Sequence, residues 1–506
     1  MQKIWALLLF GLYLSSSLSG EEVKSEEKPR CELKEGYSET RHETVINGNP
    51  IAYKAVAGTF MLKDIKCEPT ASLFFISYTK EGAENEQRPV TFCFNGGPGS
   101  SSVWLHLGTF GPKRVALSDK GDSLPPFHLI DNEFSILDQT DLVFIDPVST
   151  GFSQAIPTDK AKSFHGVEED IKSVAEFIRI YLTRFNRWNS PKFIAGESYG
   201  ATRAAGLAGH LHDKYFINVN GIILISSILN FQSIDFNAGN DMSYIMFLPS
   251  YTATAWYHHM LAPDLQNAPL PEVLQEAREF VSGEYLMALF QGSQLSKENR
   301  ALITQKLSRL TGLTPEYIAR TNLRIDNMRY MKELLRNRNQ TVGRFDSRIL
   351  GMDADAAGEM FDYDPSMNAI FGAFTSTFNN YVKNDLKWET DNRYQILNNV
   401  QPWDYGSGNQ CFNVADTLRS VMAKNFNLRV FVANGYFDLA TPFFGTEYTF
   451  NHLGMDRALL NHVTMKYYEA GHMMYIYLPA LKQLKVDLSH FYLNTLENQE
   501  REEGNK

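Results

Sequence analysis

The sequence predicts an α/β protein with a mixed, mostly parallel central sheet, helices on both faces of that sheet and a helical insertion. From Leu142 onwards, wholly apolar runs alternate with stretches in which apolar residues recur every three or four positions. This alternation is typical of buried parallel strands and the helices that cover them. It lapses between about residues 235 and 400 and then returns. The 506 residues also exceed the roughly 250–300 that one core usually serves.

The first strands of the sheet are predicted to be antiparallel. Thr44–Ile46 and Ile51–Tyr53 flank Asn47-Gly48, a dipeptide that favours a two-residue hairpin turn. Leu73–Tyr78 and Val90–Phe94 flank a polar stretch, and we expect them to form a second hairpin.

The parallel strands and the helices follow. The predicted strands are Leu142–Ile145, Phe193–Ala195, Ile222–Ile225, Val430–Ala433 and Val463–Tyr468. The predicted helices outside the insertion are residues 167–182, Ala201–His212 and Pro479–Leu493. The predicted helices inside it are Pro271–Phe290, Lys297–Leu310 and Pro315–Leu335. Ser296 and Thr314 stand at the N-cap positions of the last two helices, and Pro315 suits a first helical turn.

The N-terminus has the pattern of a secretory signal. Lys3 precedes the apolar run Ile4–Leu14, and the small residues Ser15–Gly20 follow it. This run is short for a membrane-spanning helix, which needs about 20 residues, so an uncleaved anchor is the weaker alternative. We therefore expect export and no integral membrane segment after signal cleavage. The predicted division is a signal peptide (1–20), a charged linker (21–30), a sheet core in two parts (31–234 and 401–496), a helical cap (235–400) and a polar tail (497–506).

Composition and charge exclude several functions. The 48 basic and 58 acidic side chains give a net charge of −10, which argues against nucleic acid as a partner. The cysteines Cys31, Cys67, Cys93 and Cys411 allow three ways of forming two disulfides, and their number does not choose among them. Cys93 lies in an apolar run, so we expect a buried thiol there.

No metal or cofactor site is predicted. Asp353 and Asp355 form one isolated pair of candidate ligands, and His258 and His259 form another. Neither pair has a second cluster at ligand spacing, so we expect all four side chains to be solvated.

The strongest local motif is Gly196-Glu-Ser-Tyr-Gly200, between the predicted strand Phe193–Ala195 and the predicted helix Ala201–His212. This strand–turn–helix context is that of a nucleophile elbow, in which a serine stands on a tight turn at a helix N-terminus. We therefore predict that Ser198 is a nucleophile.

A nucleophilic serine needs a base and a carboxylate that orients the base. In α/β-hydrolases these residues follow in the order Ser, Asp, His. Asp438 comes shortly after the strand Val430–Ala433, and His472 comes after the strand Val463–Tyr468. Both stand beyond the carboxyl ends of their strands, where such sheets keep their sites. Ser198, Asp438 and His472 are therefore the predicted triad.

A second glycine-rich motif, Asn95-Gly-Gly-Pro-Gly-Ser-Ser-Ser102, ends the strand Val90–Phe94. Acyl transfer needs two N–H donors for the oxyanion, one after the nucleophile and one from an early loop. We predict that Tyr199 and Gly97 provide them.

These motifs, together with Asp146-Pro-Val-Ser-Thr-Gly-Phe-Ser153, Gly435–Asp438 and Ala470-Gly-His-Met473, resemble those of the serine carboxypeptidases. The resemblance covers the chain from about residue 90 to its C-terminus. It implies an α/β-hydrolase that removes single residues from peptide C-termini, with peptides as substrates and no cofactor. It also implies that Asn95, Gly96 and Glu197 bind the substrate's terminal carboxylate, and that the helical insertion roofs the cleft.

The chain departs from the family pattern at two positions. Thr109 stands where well-known members have a glutamate that pairs with the one before the nucleophile. Ser100 stands where eukaryotic members often have a cysteine. We therefore expect the carboxylate site to hold its proton less tightly than a paired site does, unless burial compensates.

Two alternatives to a carboxypeptidase remain. An esterase or acyltransferase would use the same triad, and the loss of the acidic partner at Thr109 favours it slightly. A non-catalytic binding protein is the other, and the complete triad argues against it. Neither the preferred C-terminal residue nor the oligomeric state follows from the sequence.

Overall fold

The computed structural model describes residues 35–83, 87–118, 121–406, 408 and 410–504, with side chains described as far as residue 497. The predicted signal peptide (1–20), the linker (21–30) and Cys31 lie outside these residues. The predicted fold class is confirmed, because a mostly parallel 10-stranded sheet is covered by helices on both faces.

The strands of the described residues are numbered in chain order. They are β1 (Gly36–Ile46), β2 (Asn49–Lys63), β3 (Pro69–Lys80), β4 (Val90–Phe94), β5 (Lys113–Val115), β6 (Leu129–Asp131), β7 (Asp141–Ile145), β8 (Gln154–Ala155), β9 (Lys192–Glu197), β10 (Gly221–Ile225), β11 (Thr341–Val342), β12 (Leu350–Gly351), β13 (Arg429–Gly435) and β14 (Val463–Tyr468). Strands β5 and β6 form one separate hairpin, and β11 and β12 form another.

The main sheet has the strand order β1-β2-β3-β7-β4-β9-β10-β13-β14, with β8 beside β3. Strands β1, β2, β3 and β7 pair antiparallel. All neighbours from β7 to β14 are parallel. The carboxyl ends of β4, β7, β9, β13 and β14 therefore meet at one edge of the sheet, where Asn95, Asp146, Ser198, Asp438 and His472 follow their strands.

The α-helices of the described residues are α1 (Val103–Leu105), α2 (Val167–Arg184), α3 (Tyr199–Tyr215), α4 (Met242–Tyr257), α5 (Pro263–Gln266), α6 (Leu270–Phe280), α7 (Leu286–Gln291), α8 (Lys297–Thr311), α9 (Pro315–Arg320), α10 (Asn327–Glu333), α11 (Pro365–Asn384), α12 (Ala415–Lys424), α13 (Phe443–Asn451), α14 (Arg457–Leu460) and α15 (Leu478–Gly504). Two π-helical segments are His106–Phe110 and Val281–Tyr285. The 3₁₀ segments are Thr158–Phe164, Phe231–Ile234, Gly292–Gln294, Arg336–Arg338 and Met474–Ile476.

The sheet is buried on both faces. Successive residues of a strand point to opposite faces, and in β4 Phe92 and Phe94 join one hydrophobic cluster while Cys93, buried as predicted, joins the other. Apolar residues of α2, α3 and α12 complete the first cluster. Those of α11 and α15 complete the second. Burial on both faces explains why most of the parallel strands contain an unbroken run of apolar residues in the sequence.

A third hydrophobic cluster joins helices from α4 to α10. Helix α11 differs, because its residues Ile370, Phe374 and Phe378 belong to a cluster on the sheet. The division of the chain at residues 234 and 400 stays a prediction.

One predicted hairpin is present and the other is wrong. Strands β1 and β2 pair across Asn47 and Gly48, both with positive φ, as the turn dipeptide predicts. Strands β3 and β4 do not pair, because β7 lies between them. All five residues of β4 are buried, and a strand of that kind belongs at the centre of a sheet, not in a terminal hairpin.

The predicted helix Pro315–Leu335 is also wrong in part, because it is divided into α9 and α10. Asn322 and Leu323 adopt positive φ between them, and the side chain of Asp326 accepts hydrogen bonds at the N-terminus of α10. A capping aspartate favours a new helix start over continuation.

Two side chains expected to be solvated are buried instead. The Nε2 atom of His258 lies 2.7 Å from the backbone oxygen of Ser347. Asp353 forms a buried ion pair with Lys332, and it also accepts from Thr341. These hydrogen-bond and ion-pair partners explain why the side chains can be buried, because a buried polar side chain needs a partner. Within the described residues, Cys67, Cys93 and Cys411 have free thiols, and no helix there is long and apolar enough to cross a membrane.

Candidate active site

Ser198 stands in a tight turn between β9 and α3. Its φ is +60°, a value that non-glycine residues rarely adopt. A Cβ atom on Gly196 would lie 2.0 Å from the backbone oxygen of Gly200, so the turn can close only with glycine there. The turn leaves Ser198 partly exposed on the wall of a cleft, at the N-terminus of a helix.

Asp438 and His472 lie on the loops after β13 and β14. His472 Nδ1 is 2.7 Å from Asp438 Oδ2, and both side chains are fully buried. The hydroxyl of Thr441 lies 2.8 Å from the same Asp438 oxygen, and the N–H groups of Ala440 and Thr441 donate to Oδ1. Four contacts therefore fix the orientation of Asp438. Sequence reasoning missed Thr441.

His472 and Ser198 line the same cleft. The structure gives no direct hydrogen bond between them. The Nε2 atom of His472 is buried and has no hydrogen-bond partner among the described residues. Asp438 holds the other ring nitrogen, so Nε2 is available to accept a proton, and such contacts often tighten only when substrate binds.

The loop that begins at Asn95 packs directly on the serine turn. A Cβ atom on Gly96 would lie 2.5 Å from the backbone nitrogen of Tyr199, so only glycine permits this approach. Within the described residues, the N–H groups of Gly97 and Tyr199 donate to no protein acceptor. The structure thus places the two predicted oxyanion donors on neighbouring backbone segments beside Ser198.

Glu197 and Asn95 form a buried polar pair beside the serine. The Asn95 amide donates to Glu197 Oε1 at 2.9 Å, and the Tyr475 hydroxyl donates to Glu197 Oε2 at 2.6 Å. Burial raises the pKa of Glu197 to about 7, although the charge of His472 and both hydrogen bonds lower it. A carboxyl with this pKa is protonated in mildly acidic solution and can then bind another carboxylate.

The hydroxyl partner of Glu197 is not Thr109, and the comparison with a paired carboxyl site stays a prediction. Thr109 is buried within the π-helical segment His106–Phe110, and its side chain makes no hydrogen bond with Glu197. The hydroxyl that contacts Glu197 belongs to Tyr475, which sequence reasoning missed. Burial raises the pKa of Glu197 to about 7 without a second carboxyl beside it.

The cleft around these residues has a volume of about 880 Å³. Charged groups on its walls include Arg344 and Asp364. Its apolar lining includes Trp104, Met328, Phe345, Phe361, Met367, Phe371, Leu397 and Met473. No cluster of three or more potential metal-ligating side chains occurs in the described part of the chain.

A parallel sheet with a serine on a tight strand–helix turn, followed by an aspartate and a histidine on later loops of the same edge, defines an α/β-hydrolase. The serine carboxypeptidase family model matches residues 49–474, so the chain belongs to the serine carboxypeptidase family. This confirms the family predicted from the motifs.

The similarity to individual relatives covers only about a third of this chain. Over 173 residues the chain is 30% identical to serine carboxypeptidase-like 33 of Arabidopsis thaliana, covering 32% of this chain and 34% of that protein. Over 161 residues it is 32% identical to a carboxypeptidase Y homolog of Arthroderma benhamiae, covering 31% and 29%. The chain thus matches about a third of the length of these relatives.

One solved structure shares the fold over most of the chain. The crystal structure of Kex1Δp, a prohormone-processing carboxypeptidase of Saccharomyces cerevisiae, matches with a TM-score of 0.55 and 17% identity. The match covers 87% of this chain and 91% of that one. At this identity, the match shows the fold alone.

Proposed function

We propose that the protein is an exported serine carboxypeptidase that releases C-terminal residues from peptides through an acyl-enzyme intermediate. One observation carries the proposal: the buried pair of Glu197 and Asn95 lies directly beside the predicted nucleophile. Glu197 and Ser198 are consecutive in the chain. A peptide held by its terminal carboxylate therefore presents its last peptide bond to the serine hydroxyl.

In the first step, Ser198 Oγ attacks the carbonyl carbon of the last peptide bond. Its proton passes to Nε2 of His472, while Asp438 stabilises the imidazolium through Nδ1. The N–H groups of Gly97 and Tyr199 donate to the oxyanion. His472 then protonates the leaving amino group, the C–N bond breaks, and the acyl group stays on Ser198.

In the second step, a water molecule attacks the acyl carbon. His472 takes a proton from this water and returns it to Ser198 Oγ, which releases the shortened peptide. Both steps use the same base and the same oxyanion donors, so losing Ser198 or His472 alone should abolish turnover as fully as losing the whole triad.

Recognition of the terminal carboxylate requires a protonated Glu197. Two ionised carboxylates in contact repel each other, whereas a protonated carboxyl can donate a hydrogen bond to an ionised one. Because the pKa of Glu197 is about 7, peptide hydrolysis should fall as pH rises through about 7. Hydrolysis of small esters, which lack the carboxylate, should not fall there through this group.

The esterase or acyltransferase alternative receives less support from the carboxylate site. It was favoured by the missing acidic partner at Thr109, and Tyr475 supplies a different partner to Glu197. Export rests on the apolar run Ile4–Leu14. N-terminal sequencing of the protein recovered from outside the cytoplasm, with a start near residue 21, would support it.

A mixture of peptides, each in a free-acid form and a C-terminally amidated form, tests the proposal. After incubation with the purified protein, mass spectrometry should show loss of single C-terminal residues from the free acids alone. Equal cleavage of the amides, or hydrolysis of esters with no peptide cleavage, would contradict it. The Ser198→Ala variant is the matched control and should release nothing.

A further inference from the structure

Tyr475 is held firmly behind Glu197. It belongs to the 3₁₀ segment Met474–Ile476, three residues beyond His472, and it is 2% exposed. Its ring packs on the π-helical segment: a Cβ atom on Gly108 would lie 2.5 Å from the ring carbon Cε2. The hydroxyl therefore has one available position, 2.6 Å from Glu197 Oε2.

The two oxygens of Glu197 have different partners. Oε2 accepts from Tyr475, which is buried and does not line the cleft, whereas Oε1 accepts from Asn95, which does. The orientation of the Asn95 amide is fixed, because its Oδ1 accepts from the N–H of Leu105 at 3.0 Å. The Asn95 amide also interacts with the Tyr475 hydroxyl.

This asymmetry determines where a proton on Glu197 resides. A protonated carboxyl has one hydroxyl oxygen and one carbonyl oxygen, and the carbonyl oxygen is the natural acceptor for a phenol. The Asn95 amide also donates to the Tyr475 oxygen, so the phenol directs its own proton to Oε2. The acidic proton then lies on Oε1, on the side of the cleft, and the Oε1 hydroxyl oxygen can still accept from Asn95.

We propose that Tyr475 is a positioning residue for the substrate's terminal carboxylate: its hydroxyl donates to Glu197 Oε2 and so directs the proton of Glu197 from Oε1 towards the substrate. The inference deepens the proposed function and rests on it. Tyr475 contacts neither the substrate nor the reacting atoms, and it acts through Glu197 alone.

The other charged or titratable groups that act on Glu197 are His472, whose positive charge lowers the pKa of Glu197, and Asp438, whose negative charge raises it. Burial raises the pKa of Tyr475 well above its usual value of 10, so Tyr475 keeps its proton throughout the working range. The site therefore has one titrating carboxyl, and the alkaline limb of peptide hydrolysis should fit a single ionisation near 7.

The Tyr475→Phe variant tests the inference, because it keeps the ring on Gly108 and removes only the hydroxyl. The hydrogen bond from Tyr475 lowers the pKa of Glu197, so its loss should move the alkaline limb of peptide hydrolysis upwards by roughly one pH unit. Below the limb, KM for free-acid peptides should rise severalfold, because the proton of Glu197 is no longer directed. The pH profile of ester hydrolysis should be the same in this variant as in the wild type.

The Tyr468→Phe variant is the matched control. Tyr468 also donates from a buried position to a carboxylate, Asp487, at 2.9 Å, outside the cleft. Its loss should leave the position of the limb unchanged. A fluorinated tyrosine at position 475, which is a stronger donor of the same shape, should move the limb downwards, so the inference stays testable if the phenylalanine variant does not fold.

A second comparison uses the Glu197→Gln background. Tyr475→Phe should there add no further change in the pH profile, because the group through which it acts no longer titrates. An unmoved limb in both position-475 variants, or equal changes on peptides and esters, would overturn the inference while leaving the carboxypeptidase proposal intact. A wild-type protein that releases no residue from free-acid peptides would overturn both.

Discussion

At the scale of single residues, accessibility distinguishes Ser198 from two other motif serines, Ser101 and Ser153. Ser101 is buried, and its hydroxyl donates to the backbone oxygen of Ile396. Ser153 is also buried, and its hydroxyl donates to the backbone oxygen of Asp146 at 2.6 Å. Ser198 lines the cleft on a strained turn. Strain at one residue is tolerated where the surrounding structure fixes it, and it commonly marks a functional position.

We therefore predict that a serine-reactive fluorophosphonate labels the protein at Ser198 alone. Peptide mapping by mass spectrometry of the wild type, Ser198→Ala and His472→Ala measures it. Both variants should lose labelling and turnover, because triad members act as a unit. Ser101→Ala should be labelled like the wild type. Modification of Ser101 or Ser153 in the wild type would reject the assignment.

Asn95 has a structural role in its loop, and we propose that it also binds the substrate's terminal carboxylate. Replacing it by alanine should raise KM for free-acid peptides and lower kcat/KM about tenfold or more, since a hydrogen bond to a charged group contributes about 1.5–3 kcal/mol. Small esters should be less affected. Kinetics on the two substrate types, compared at one pH, measure this difference.

The control is Asn132→Ala. Asn132 is buried too, and it holds the π-helical segment by donating to the backbone oxygens of Thr109 and Gly111. It should affect peptides and esters alike. If Asn95→Ala also lowers kcat/KM equally for peptides and esters, then Asn95 has only a structural role in its loop.

At the scale of elements, the apolar patterns predicted the parallel strands and helices α2, α3 and α15, but they missed helices α4 and α11 and the order of some neighbouring strands. Strand order depends on contacts between distant segments, so the sequence could not show that β7 separates β3 from β4. The contact between Tyr475 and Glu197 joins residues 278 positions apart, and no local pattern signals it. The serine turn was predictable because its glycines, strand and helix are contiguous.

Helix α11 carries the next prediction, because it builds one wall of the cleft. Met367 and Phe371 lie four residues apart and both line the cleft, as one helical face requires. The ring of Phe371 stacks edge-on against Trp104, with 5.3 Å between centroids. Phe371→Ala should lower kcat/KM roughly tenfold for peptides with a large apolar residue at the cleaved bond, as expected when apolar contact is lost.

Ser376→Ala, on the exposed side of the same helix, is the control and should keep the wild-type preference. Rates on a peptide series that varies only in the residues flanking the last bond measure the effect. If Phe371→Ala retains the wild-type order of preference, the wall of α11 does not set selectivity.

At the scale of the whole molecule, Asp146 joins three distant parts of the chain. It follows β7, its Oδ1 accepts from the N–H of Ser102 at 2.9 Å, and the Tyr394 hydroxyl lies 3.2 Å from the same oxygen. Its Oδ2 is buried and has no hydrogen-bond partner among the described residues. Burial raises the pKa of Asp146 to about 7. The folded protein thus keeps a neutral carboxyl at this junction in mildly acidic solution.

This makes part of the free energy of unfolding depend on pH. A raised pKa in the folded state stabilises the protein below the unfolded value, near 4, and this stabilisation is lost as pH rises to about 7. Asp146→Asn mimics the neutral form at every pH. The unfolding free energy of the wild type minus that of the variant should therefore decrease by about 1.4 kcal/mol per pH unit between these limits and stay constant above them. Denaturant unfolding of both proteins at several pH values measures this difference, in which the other titrating groups cancel. A difference that does not change with pH would mean that Asp146 is already ionised in the folded protein.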